Sequence, residues 1–231
     1  MESKTSPPPD GADTKVPASR MAIRHRPAVV TFALVTVIGL AGDLWSKHAV
    51  FAWLLSDPDI AAKVQDNLLE ERIRSQHPDE TPAAMAIKFY LPIERPVLGG
   101  MKFRISTNPG VVFGWSMPPI VVSVVSVITI ALVFLFFAVG DRRAWSMHIG
   151  LACIMAGALG NLYDRLLGVV HIPGFDEPIT HQVRDFIDLS SIQVAGWSYG
   201  YIFNIADVLL VVGVLLLIVN WWTFRKHGKR Q

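Results

Sequence analysis

The sequence predicts an α-helical membrane protein: four transmembrane helices, a small extracytoplasmic β-rich subdomain and an extracytoplasmic helix-like insertion. Three observations carry this. The chain holds four apolar runs near the length of about 20 residues needed to cross hydrocarbon. Of its 231 residues, 52% are hydrophobic and 17% charged, against about 45–50% and about 25% in soluble domains. Its basic residues flank the apolar runs, which is a membrane-orientation pattern. The net charge of +2 is too mild to suggest nucleic acid as a partner.

Taken in order, residues 1–26 are rich in Pro, Ser and charge and read as a disordered cytoplasmic tail. A four-span domain follows at 27–225, with spans at about 28–47, 119–140, 147–167 and 201–224 and outer loops at 48–118 and 168–200. A basic cytoplasmic tail, 226–231, closes the chain. The first run also fits a cleaved signal peptide, with small residues at Gly39, Ala41 and Gly42. Against that, Asp43 and Lys47 stand at i, i+4 and continue a helix. The plain reading of that pair is an exposed interfacial ion pair.

In the first loop, Asp57 to His77 is amphipathic, with Ile60, Val64, Leu68 and Ile73 at helical spacing. It reads as an insertion on or above the membrane. Ile87 to Leu98 and Met101 to Ser106 carry β-like patterning. Asn108-Pro109-Gly110 is a turn by composition. Ile120 to Val139 is the cleanest span, and a short Asp141-Arg142-Arg143 connection leads to the third. Val183 to Leu189 mixes apolar and polar positions as a strand along an interface does.

Short-loop charges place both termini and the Arg142-Arg143 turn in the cytoplasm and the two large loops outside. Asp43 and Lys47 then end span one, Asn161, Asp164 and Arg165 end span three, and Asn204 and Asp207 begin span four, all at the outer face. Asp185 and Asn108 lie in loops on that side. Polar groups at such depth are expensive and mark function by default.

Several carboxylates without a Cys cluster suggest acid–base chemistry by two Asp residues, one ionised and one protonated, acting on a peptide carbonyl through water. The residues alone leave open which two of Asp43, Asp164, Asp185 and Asp207 form the pair. The lone Cys153 lies in an apolar run and is an inert packing residue rather than a thiol nucleophile. His171 and His181 lack metal-ligand spacing, so no metal and no cofactor are expected. A Ser–Lys dyad of Lys47 with Ser190 or Ser191 is a weaker alternative, and Ser46 points the wrong way on the helix. Two other classes stay in play: a proton-coupled transporter, which wants charges near the bilayer midplane, and a non-catalytic membrane scaffold.

Five segments carry a resemblance. They are Asp43-Leu44-Trp45-Ser46-Lys47, Asn108-x-Gly110-x-x-Phe113-Gly114, Gly157-Ala158-Leu159-Gly160-Asn161-Leu162-Tyr163-Asp164-Arg165, Val183-Arg184-Asp185-Phe186-Ile187-Asp188 and Phe203-Asn204-Ile205-Ala206-Asp207. In this order they resemble the motif set of lipoprotein signal peptidase (signal peptidase II). The resemblance implies an aspartic endopeptidase of the bacterial inner membrane, multi-pass and monomeric, with its site near the periplasmic leaflet. Its substrates would be prolipoprotein signal peptides bearing a lipidated cysteine, met in membrane lipid and cut just before that cysteine. It also implies Asp185 and Asp207 as the catalytic dyad, with Asp43, Lys47, Asn108, Gly110, Asn161, Asp164, Arg165, Asn204 and Ala206 as supporting or substrate-binding residues. The N-terminal tail, the Asp57–His77 segment and the stretch from Arg165 to Asp185 are longer than the family core needs.

Overall fold

The structure is a computed structural model that describes residues 16–57, 67–112, 115–198 and 200–228. Four helices in it are long and apolar enough to cross a membrane: α1 (Arg26–Leu55), α4 (Pro119–Val139), α5 (Trp145–Leu167) and α6 (Ile205–Gly228). Among the described residues two short helices lie between α1 and α4, namely α2 (Asn67–Gln76) and α3 (Pro82–Met85). Helix α5 is the hub. Its apolar window is 72% buried, against 22%, 22% and 11% for the windows of α1, α4 and α6. It is also the least hydrophobic of the four, because its covered faces point at protein and can carry polar groups.

Helix α1 runs two turns past the expected end near residue 47. Nothing in His48 to Leu55 breaks a helix, and Pro58 is the first residue that disfavours continuing one. Those extra turns have a packing reason: Phe51 and Leu54 join Ile93, Ile105, Ile179 and Phe186 in the core beneath the β-subdomain. That subdomain is an antiparallel sheet of order β1-β2-β7-β10, built from Glu94–Leu98, Met101–Asn108, Val183–Asp188 and Ile202–Phe203. The pairs β3–β4 (Val111–Val112, Trp115–Ser116), β5–β6 (Val169–Val170, Ile179–Thr180) and β8–β9 (Gln193–Val194, Trp197–Ser198) are small ribbons.

Three other expectations are corrected. Residues 87–90, the start of the stretch Ile87–Leu98 expected to be extended, are helical; they belong to a wide turn, Ala86–Tyr90, that follows α3, itself favoured by Pro82 at the first helical position and an Ala-Ala-Met-Ala run. Span four starts at Ile205, since Ile202 and Phe203 are taken by the sheet. At the N-terminus, residues 18–24 form two short turns that dock on the α4–α5 connection, where the Ala22 amide donates to Gly140 O at 2.7 Å and Arg20 pairs with Asp141. Of the amphipathic insertion, residues 67–76 form α2, anchored by Ile73 against Met85 and Ala86, and residues 58–66 lie outside the described residues.

Candidate active site

Asn204 caps α6 in a reciprocal box: its Oδ1 accepts from the Asp207 amide at 3.1 Å, while Asp207 Oδ2 accepts from the Asn204 amide at 3.1 Å. Asp207 is thereby fixed in the first turn of a helix, where amide N–H groups favour an anion. The Asn204 side chain reaches further. Its Nδ2 donates to Asp185 Oδ1 at 2.6 Å and to Asn161 Oδ1 at 3.2 Å. Asn161 in turn donates from Nδ2 to Asp207 Oδ1 at 2.9 Å. Two carboxyls distant in sequence, one on β7 and one on α6, are therefore held by the same pair of amides.

Behind them lies a second, fully enclosed layer. Asp43 and Lys47 are both 0% exposed, so the exposed ion pair weighed from sequence is corrected to a buried one. Lys47 Nζ donates to Asp43 Oδ2 at 2.7 Å and to Asn161 Oδ1 at 3.1 Å, and it lies 3.1 Å from Asp164 Oδ2. Lys47 is thus held between two carboxylates and an amide oxygen, and neither Ser190 nor Ser191 is among these partners. Asp43 Oδ1 accepts from the Ala206 amide at 2.8 Å and so ties α1 to the first turn of α6. Asp164 is gripped by Arg184, whose Nε and Nη2 both donate to Oδ1, at 2.9 and 2.6 Å. Arg165 donates from Nη1 to Asn161 O at 3.4 Å, and its guanidinium stands within electrostatic reach of Asp185, Asp207 and Asp164.

Four carboxyls (Asp43, Asp164, Asp185, Asp207) thus meet three cations (Lys47, Arg165, Arg184). Fully ionised, the cluster carries one uncompensated negative charge in a poorly solvated place, which is costly. One proton restores neutrality. Asp185, 5% exposed, is where that proton settles: burial, and then the charge of Asp207, push its carboxyl up to about 8, against the opposing pull of Asn204 and Lys47. A buried acid bridged by amides to a second carboxyl is an arrangement that can give and take a proton within one site.

Asn108 and Gly110 stand beside this network. On β2, Ser106 pairs with Asp185 and Asn108 with Val183. Asn108 Oδ1 accepts from the Gly110 amide at 2.9 Å, and Gly110 has φ +130°, a turn only glycine makes readily. Phe113 and Gly114 fall outside the described residues. His181 and His171 are not brought together as ligands: His181 Nδ1–H donates to Arg165 O at 2.9 Å, and His171 lines a separate cleft. Among the described residues no three His, Cys, Asp or Glu side chains are grouped to hold a metal.

Two residues were quoted within the Val183–Asp188 motif but given no site role from sequence. Arg184 locks Asp164 from 20 positions away, and beyond that motif its signal was its place as the sole Arg of an acidic loop. Asp188 is 1% exposed; burial raises its carboxyl, but the Ser190 hydroxyl and amide, with Lys102 and Arg104, outweigh that and hold it below the ordinary carboxylate range.

The model of the family described as Signal peptidase (SPase) II matches residues 35–223. The chain belongs to the signal peptidase II family. Among its relatives, the lipoprotein signal peptidase of Rhodopirellula baltica is 31% identical over 204 residues, 88% of this chain and 73% of that protein. That of Fusobacterium nucleatum is 33% identical over 138 residues, 58% of this chain and 72% of that protein. Two solved structures of a bacterial membrane enzyme, at 2.3 and 1.9 Å, share the fold at 20% identity. Their TM-scores are 0.58 and 0.53, covering 92% and 87% of this chain and 97% and 95% of theirs. As a signal peptidase II family member with four apolar helices, the chain is a multi-pass membrane protease.

Proposed function

We propose that Asp185 and Asp207 are the catalytic pair of an aspartic endopeptidase that removes the signal peptide from prolipoproteins, cutting just before a lipidated cysteine. The observation that carries this is the carboxyl pair bridged by Asn204 and Asn161, with the Asp185 carboxyl buried and pushed up to about 8. Asp207, at the helix start, takes a proton from a water that attacks the scissile carbonyl, and protonated Asp185 gives its proton to the carbonyl oxygen. The result is a tetrahedral diol. Asp207 then protonates the leaving nitrogen as the C–N bond breaks, and Asp185 recovers its proton from a diol hydroxyl. No covalent intermediate with the protein forms.

Asp43, Lys47, Asp164 and Arg165 hold the pair, Asn161 and Asn204 orient it, and the Asn108–Gly110 turn lies where an extended substrate would pass. Substrate reaches the pair from the lipid side. An apolar groove of ≈ 300 Å³ begins at Asp207 and is lined by Leu189, Phe203, Val208, Val211 and Val212. The pair then faces the periplasmic leaflet, with both termini in the cytoplasm.

The test is cleavage of a lipid-modified prolipoprotein by purified protein in lipid. Asp185→Asn and Asp207→Asn should each lower the rate by about a thousand-fold while the variants still insert and melt cooperatively. Full activity in either variant removes that residue from the pair.

A further inference from the structure

A second concave site lies on the other side of Arg184. It is a cleft of ≈ 170 Å³ between the last turns of α1 and the β5 strand, lined by His48, Phe51, Leu55, Val169, His171 and Arg184. Among the described residues that line it none is acidic, and Asp164, which Arg184 grips, is also paired with Lys47. Both histidines are exposed. Arg184 spends Nε and Nη2 on Asp164, which leaves Nη1 for a ligand. The cleft thus gathers three nitrogen donors above an apolar floor.

Its depth identifies the ligand class. Helix α1 has 30 residues, about 45 Å at 1.5 Å per residue, against about 30 Å of hydrocarbon. Its last turns therefore stand in the headgroup layer. Trp45 and Trp53 are exposed on the same stretch, as interfacial aromatics are. At that level a donor-rich, acid-free cleft with a greasy floor matches a phosphate ester above the start of its hydrocarbon.

We propose that this cleft binds a phosphate group, carried by an anionic lipid headgroup, on His48, His171 and Arg184. The site is separate from the Asp185–Asp207 pair, and its assignment does not depend on the proposed chemistry. Arg184 connects the two, since one guanidinium touches the phosphate site and Asp164 at once.

The experiment is native mass spectrometry of the purified full chain in detergent, titrated with dioleoyl-phosphatidylglycerol or dioleoyl-phosphatidylcholine. The parent should retain phosphatidylglycerol about fivefold better, and His48→Gln/His171→Gln should erase that preference. The single variants, each at an exposed position, are run in parallel so that folding of the double variant is not the only route. His77→Gln, on the helical insertion, should keep the preference. Millimolar inorganic phosphate separates the sources: failure to displace phosphatidylglycerol assigns the lipid, and displacement assigns the free anion. No preference in the parent, an undiminished preference in the double variant, or an equal loss in His77→Gln overturns the proposal.

Discussion

Asp185 shows how a residue's surroundings set its chemistry. Its carboxyl is ordinary; its position, nearly out of water and beside a second acid, is not. With its proton held up to about 8, it is an acid at neutral pH and ceases to be one in mildly alkaline solution. Deprotonation places a second negative charge on the pair and removes the donor to the carbonyl oxygen. Activity should therefore fall, not rise, as pH increases through about 8, and kcat/KM measured from pH 5 to pH 10 should show that descending limb. A profile flat through pH 9 would contradict the acid role of Asp185. From the sequence, Asp185 was one of four candidate acids; only the motif likeness singled it out with Asp207. What separates the four is non-local. Asp43 and Asp164 each face a buried cation, whereas Asp185 and Asp207 face each other across amides.

At the scale of elements, the seam between α5 and its neighbours decides whether that geometry exists. A Cβ at Gly160 would collide with the Asp43 carboxylate, and one at Gly157 would come within 2.5 Å of Ala206 O. These glycines are there so that the start of α6 and the Asp43 side chain approach α5 directly. Asp43 cannot yield easily, because Lys47 and the Ala206 amide fix both its oxygens. Gly160→Ala should therefore lower the melting temperature by several degrees, corresponding to about 1–3 kcal/mol of overpacking, and lower activity with it. A variant with parental melting and turnover would show that the contact is slack. Hydropathy revealed α5 as a span but not as the central one, since burial depends on which helices surround it. The same limit explains residues 87–90: an apolar segment ahead of Pro92 looks extended when read alone, and here the core that Ile87 shares with Phe51 and Leu54 of α1 holds it helical.

On the scale of the whole molecule, the order of spans and the sorting of polar groups to one end were legible, because bilayer thickness and charge asymmetry are written directly in composition. The Arg184–Asp164 lock was not, since nothing local links a strand residue to a helix end. The proposed orientation has a direct test. In a Cys153→Ala background, Leu98→Cys, on a strand end 79% exposed, should react with a membrane-impermeant maleimide added outside spheroplasts. Arg143→Cys should react only after permeabilisation. The reverse pattern would invert the topology.

The bond from Asp43 to the Ala206 amide joins residues 163 positions apart. During synthesis, the first helix carries its acid and its lysine into lipid long before the fourth exists to receive them. Assembly of the bundle is thus completed only by its last segment, and a chain truncated ahead of residue 204 should be cleared by quality-control proteases rather than persist as a partial bundle.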